Sequence, residues 1–194
     1  MELDPAPDPE THPETLDARI AARLRGLRAE RGWSLSDLAE RSGVSRASLS
    51  RLENAETSPT AAALGRICAA YGITVSRLMQ AAEAPRAHVP AAEQPDWTDP
   101  ETGFRRRLLS PPAPGLAGEA VEARLPPGTR IAYDAPPRPG LEHHLLLREG
   151  ALTVTLGGAA HALRPGDALR YALHGPSAFE TPPETGARYI LFLV

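Results

Sequence analysis

The sequence lacks lysine: all 21 of its basic residues are arginine. It has a single cysteine, Cys68, which excludes an internal disulfide framework. Aromatic residues make up only 5% of the chain, so a core must rest on Leu, Val, Ile and Ala. No run approaches the roughly 18 apolar residues of a membrane-spanning helix. The first residues are acidic and proline-rich, the opposite of a secretory signal, and a cytoplasmic protein is expected.

What is present is unevenly spread. The formal net charge is −3, which taken alone argues against a nucleic-acid partner. Residues 1–16 carry five acids and no arginine, whereas residues 17–82 carry ten arginines against six acids. Residues 83–194 carry eleven arginines against thirteen acids. Only the middle segment is basic, and that asymmetry is the informative signal. With 194 residues the chain has room for two small domains. Residues 1–16 hold too few apolar side chains to order themselves and are expected to be a disordered tail. Residues 82–103, rich in Ala, Pro and Glu, are expected to be a linker.

Residues 17–81 are expected to form five short helices. Ile20, Leu24 and Leu27 share one face of a helix ending near Gly32. Ser34 offers an N-cap with Asp37 three residues on, a shortened capping box. Leu35, Leu38 and Ala39 supply the apolar face of a second helix, and Ser45 caps a third bearing Leu49 and Leu52. Ser58-Pro59 is expected to open a fourth, with Leu64, Ile67, Cys68 and Tyr71 on one face and Gly72 as its stop. Thr74 caps a fifth through Leu78 and Met79.

Segment 35–54, LSDLAERSGVSRASLSRLEN, carries the most specific spacing. Ala39 lets two helices cross closely, and Gly43 permits the left-handed turn between them. Leu38, Val44, Leu49 and Leu52 pin the pair, leaving the outer face of the third helix free to enter a major groove. These residues, with Leu52-Glu53-Asn54 and Pro59, resemble the Cro/lambda-repressor-like (XRE) helix-turn-helix family over roughly residues 17–81. The resemblance implies a DNA-binding domain acting on a double-stranded operator. It places Ser45, Arg46, Ala47 and Arg51 toward base edges, with Ser50 exposed beside them. It makes Ser34 and Asn54 phosphate contacts, and matches Arg28 and Glu53 to a pair that bridges helices.

Residues 104–194 are expected to be all-β. Strands are expected at 104–109, 119–125, 130–134, 142–148, 151–156, 160–163, 168–173 and 187–194, punctuated by Pro and Gly turns. The run LLLREGALTVTLGG followed by ALRPGDALRY resembles the cupin family, a double-stranded β-helix barrel. The expected fold class is thus α + β multidomain: a five-helix helix-turn-helix bundle followed by an all-β cupin barrel. Many cupins hold a metal, and their motifs imply where its ligands fall. His143 stands where a ligand Glu would be, and the paired-His positions fall near Pro136–Pro139, where there is no His. Ser177 stands where a second-motif His would be, and Thr181 replaces an Asn. Glu142, His144 and His174 lie nearby, but an offset of one residue turns a strand side chain to the opposite face. No metal, no cofactor and no catalytic residue are therefore expected.

The leading expectation is a homodimeric DNA-binding regulator whose barrel takes a small organic effector without a metal, dimerises, or both. The pocket is expected to be bordered by Tyr133, His143, Tyr171 and Ser177. Two alternatives stay open: a metal-dependent enzyme of the phosphonate epoxidase type, and a barrel that only dimerises.

Overall fold

The computed structural model describes residues 15–79, 87–113 and 115–194. Five helices come first: α1 (Leu16–Glu30), α2 (Leu35–Ser42), α3 (Arg46–Glu53), α4 (Ala61–Tyr71) and α5 (Val75–Met79). Each of the first four is capped by a side-chain oxygen. Thr15, Ser34, Ser45 and Thr60 accept from the backbone N–H three residues on. At Ser34 the capping box is complete, because Asp37 also accepts from the Ser34 backbone N–H. Gly43 ends α2 at φ 67°, the left-handed conformation that the turn into α3 requires.

The expected start of the fourth helix at Ser58-Pro59 is two residues early. Thr60 is the cap, its Oγ1 accepting from Ala63 N–H, and Pro59 is buried just before it. Most of the expected tail, residues 1–14, lies outside the described residues.

A short 3-10 turn (Ala91–Glu93) precedes ten strands: β1 (Asp96–Thr98), β2 (Arg105–Ser110), β3 (Glu119–Leu125), β4 (Arg130–Tyr133), β5 (Leu141–Gly150), β6 (Leu152–Leu156), β7 (Ala159–Leu163), β8 (Ala168–Leu173), β9 (Ser177–Glu180) and β10 (Ala187–Leu193). They form a six-stranded sheet, β1-β2-β3-β10-β5-β8, facing a four-stranded sheet, β4-β9-β6-β7. Every pairing is antiparallel. This is the double-stranded β-helix barrel that the cupin resemblance implies.

Two strands differ from expectation. β1 lies inside the stretch read as a linker, and Trp97 explains why. It pairs opposite Arg106, and its buried ring meets Phe104 edge-on at 6.2 Å. Residues 96–98 therefore belong to the barrel, and residues 82–86 of that stretch lie outside the described residues. β9 is not among the expected strands because SAFE is buried at three successive positions and shows no alternation. Its pairing with β4 and β6 on either side makes it a strand.

The period-2 pattern sorts β5 cleanly. Leu141, His143, Leu145 and Leu147 point inward and are buried, whereas Glu142, Leu146 and Arg148 are exposed. The hydrophobic core is continuous across both domains. It runs from Ile20, Leu24 and Leu49 through Leu64 and Ile67 to Phe104, Leu145 and Leu191.

Three contacts fix the helices on the barrel. Asp99, buried, accepts at Oδ2 from Ala61 N–H (2.7 Å) and so satisfies the start of α4 from outside its own segment. Arg106 Nη2 donates to Ser76 Oγ of α5 at 3.4 Å. The Tyr133 ring lies against Gly65 of α4 so closely that a Cβ there would sit 2.5 Å from Cδ1.

Candidate DNA interface and barrel cavity

The third helix is held by an apolar seam on its inner side. Leu49 and Leu52 are buried against Leu38 and Val44. A two-pronged ion pair adds direction. Arg28 Nε and Nη2 each donate to a Glu53 carboxylate oxygen at 2.8 Å, while Nη1 donates to Trp33 O at 3.0 Å. Glu53 is buried, so the pair locks α3 to α1 in one rotational setting, and its hydrogen bonds raise the Arg28 guanidinium above its ordinary value. The matched pair from the sequence is thus a physical bridge.

With the inner side fixed, Arg46, Ala47 and Arg51 are exposed and Ser50 half-exposed, and with Leu35 they line one shallow surface hollow. Three of the four expected base-facing residues, Arg46, Ala47 and Arg51, thus share a face with Ser50, and Ser45 does not line that hollow. Ser45 has a second duty: its Oγ accepts from Ser48 N–H and donates to Ser48 Oγ at 2.9 Å. Ser34 is occupied too, its N–H and hydroxyl both donating to Asp37, whose carboxyl those bonds hold below its usual range. Asn54 is exposed, and its side-chain amide donates to Glu56 at 3.3 Å. A phosphate at Ser34 or Asn54 must therefore compete with a carboxylate already there. Arg41 of α2 and Arg31 stack over Trp33 at 4.6 and 5.5 Å, fixing two more cations on the helical domain.

The second site lies where the barrel meets the helices. A cavity of about 60 Å3 is lined by Tyr133, His143 and Ser177 of the barrel, together with Arg106, Gly65 of α4 and Val75 of α5. Three of the four expected pocket residues converge here. Tyr171 does not line the cavity. It stands behind His143, its hydroxyl 3.1 Å from Nδ1 and its ring edge-on to the imidazole.

His143 is 6% exposed, and its Nε2 has no partner. Burial pushes the imidazole down to about 3, with the Arg106 and His144 charges adding to the effect, so His143 is neutral at ordinary pH. Burial likewise raises the Tyr171 and Tyr133 hydroxyls, although the Arg106 charge opposes it at Tyr133.

Among the described residues no group of three His, Cys, Asp or Glu side chains could hold a metal ion. The reason is register. His143 faces inward, Glu142 is on the outer side of β5, and His174 is exposed. Thr181, at the former Asn position, is structural: its Oγ1 donates to Pro126 O at 2.6 Å and accepts from Thr129 N–H.

Arg106 was missed by the sequence reading. The signal was in the alternation, because Phe104, Arg106 and Leu108 share the inward face of one strand. Cys68 is buried in the helical core, and burial raises its thiol to about 12.

An exposed, arginine-bearing helix held rigidly by a helix–turn–helix frame, carried on a β-barrel, defines a helix-turn-helix DNA-binding protein with a β-barrel domain. The helix-turn-helix domain family matches residues 19–81. The chain is 30% identical over 159 residues to the HTH-type transcriptional regulator SutR of Escherichia coli K12, covering 82% of this chain and 85% of that one. It is 40% identical over 65 residues to the HTH-type transcriptional regulator DdrOP3 of Deinococcus deserti, covering 34% of this chain and 50% of that one. A crystal structure of an HTH_3 family transcriptional regulator from Vibrio cholerae shares the fold, with a TM-score of 0.76 at 24% identity over 92% of this chain and 96% of that one. The chain belongs to the HTH-type transcriptional regulators.

Proposed function

We propose that the chain reads duplex DNA through Arg46, Ala47, Ser50 and Arg51, as a homodimer, and that the barrel cavity holds a small effector without a metal. The observation that carries the DNA reading is the shared exposed face of those four residues on a helix whose opposite side is fixed by Leu49, Leu52 and the Arg28–Glu53 bridge. A guanidinium can bond guanine O6 and N7 together, which discriminates by about 1–3 kcal/mol. Ser45 stands toward the base edges at the start of the helix, and Ser34 and Asn54 flank that face and set register on the phosphates, which carry no sequence information.

The test is selection of binding sites from random duplexes. Arg46→Ala and Arg51→Ala each relax preference at one position per half-site by about 5- to 150-fold. Asn54→Ala weakens all sequences about equally. If Asn54→Ala alters preference while the arginine variants do not, the register of α3 on DNA is wrong.

The dimer reading rests on the outer face of the six-stranded sheet. Leu146 and Phe192 are 37% and 42% exposed there, on the neighbouring strands β5 and β10. One recognition helix reads only a few base pairs, and a two-fold pair doubles the site. The effector reading rests on polar groups, Tyr133, His143 and Ser177, facing a hollow interior that Leu or Phe would otherwise fill. The enzyme alternative needs two His and a carboxylate on one face, whereas β5 turns His143 inward and Glu142 outward.

A further inference from the structure

The cavity has a charge that nothing around it answers. Arg106 is 8% exposed on the inward face of β2. Its Nη2 makes a long hydrogen bond to Ser76 Oγ, the guanidinium also interacts with the Tyr133 hydroxyl, and its Nε has no partner. The neighbouring arginines differ. Arg105 pairs with Asp96, and Arg107, Arg124 and Arg188 converge on Glu122, all on the outer side of the same sheet. No carboxylate among the described residues is within salt-bridge distance of Arg106. The nearby buried acid Glu119 lines an adjoining hollow beside Arg77, which shares Thr74, Leu141 and Leu193 with the cavity, and Glu119 forms no ion pair with Arg106. A guanidinium withdrawn from water without a counter-charge costs several kcal/mol. It is retained most simply where an anion arrives to answer it.

The same cavity presents further donors. If His143 Nδ1 accepts from the Tyr171 hydroxyl, the ring proton sits on the unpartnered Nε2, facing the hollow. Depression of the imidazole by burial keeps it neutral there, so it donates without adding a second charge. Tyr133 and Ser177 add hydroxyls. The rest of the lining is apolar, with Leu141, Leu173, Phe179 and Leu191. Size bounds the occupant. At about 60 Å3 the cavity favours a small occupant over a long-chain one.

From this we infer that the cavity is a receptor site for a short-chain monocarboxylate, its carboxylate held by Arg106 and the His143 Nε2–H and its alkyl tail against the leucines. The inference rests on the effector reading above and specifies its chemistry. Gly65 of α4 and Val75 of α5 form part of the wall. Arg106 also reaches Ser76, so the ligand's counter-charge bears on the contact that ties α5 to the barrel. Occupancy therefore changes how the DNA-binding domain is held.

The experiment is calorimetric titration of acetate, propionate, butyrate, hexanoate, propionamide and inorganic sulfate into the full-length, DNA-free protein. Propionate and butyrate are expected to bind one per chain, at least tenfold tighter than propionamide and hexanoate, and tighter than sulfate. Arg106→Gln is expected to lose at least tenfold in butyrate affinity and Arg106→Lys to lose less. Saturating butyrate is expected to change affinity for a selected operator at least threefold. Propionamide equal to propionate overturns the anion, and sulfate tighter than butyrate overturns the carboxylate. Absence of binding by every compound overturns the site. The compound series uses the unaltered chain, so it decides the matter even if Arg106→Gln fails to fold. Titration without DNA separates the two readings: failure to select any operator refutes DNA recognition and leaves the anion site standing, and the reverse also holds.

Discussion

Gly65→Ala sets two physical effects against each other, and the structure says which wins. In the interior of α4, alanine is favoured over glycine by about 1 kcal/mol through backbone entropy alone. The added Cβ, however, would lie 2.5 Å from Tyr133 Cδ1 and 2.9 Å from Cε1. Relief requires a shift of about 1 Å by the ring or the helix, against an ordinary contact limit near 3.4 Å. The ring has little freedom, because it packs edge-on against Phe179 at 6.3 Å. Overpacking of this kind costs about 1–3 kcal/mol. The expected net is a loss of about 1 kcal/mol. At about 2–4 °C per kcal/mol for a chain of this length, that is a small but measurable fall in Tm. The decisive measurement is a double-mutant cycle by thermal or urea unfolding. With Tyr133→Ala already in place the clash is gone, and Gly65→Ala should raise stability by about 1 kcal/mol, reversing its sign. A rise in Tm of 2–4 °C on Gly65→Ala in the otherwise unaltered chain would show that α4 does not press on β4 in solution. The account of the domain junction would then fall.

Two further outcomes follow from named groups. Because His143 is held at about 3 in the folded chain, against 6.5 when exposed, the unfolded state binds the extra proton between those values. Stability is then full above about pH 6.5 and falls as pH drops below it, by up to about 1.4 kcal/mol per unit. Urea midpoints from pH 6.5 to 4.5 should show this slope flattened in His143→Gln, and equal slopes would refute the burial argument. Light scattering at micromolar concentration should return a dimer that Phe192→Glu shifts toward monomer, and a monomeric unaltered chain would remove the dimer reading.

Much of the helical domain was legible in one dimension. Ser34, Ser45 and Gly43 act within a few residues of themselves, through caps and a left-handed turn. Leu38, Leu49 and Leu52 announce their burial through helical spacing. The barrel strands were legible where alternation or flanking turns marked them, as in β5, and illegible in β1, three residues inside a Pro- and Ala-rich stretch, and in β9, whose three successive buried residues show no alternation. The start of α4 was misjudged because proline is a strong local signal. Thr60 and Asp99 set the boundary instead, one of them from 38 residues away.

The sequence by itself determined the local chemistry: which helix could face DNA, that residues 104–194 alternate as strands, and that His143 and Glu142 must face opposite ways. These depend on backbone periodicity, which neighbouring residues impose on one another. Only the tertiary structure decided what meets across the domain junction. Arg106 looked like one of three consecutive arginines at the start of a strand. It is singled out because β2 turns its side chain inward, toward Ser76 of α5, and because the acids of this sheet that form ion pairs, Asp96, Glu122 and Glu149, pair with other arginines. Gly65 likewise reads as an ordinary helical glycine until Tyr133, 68 positions away, is laid against it. Such contacts follow from the docking of two separately specified surfaces, and no periodicity within either segment encodes which residue of one will face which residue of the other.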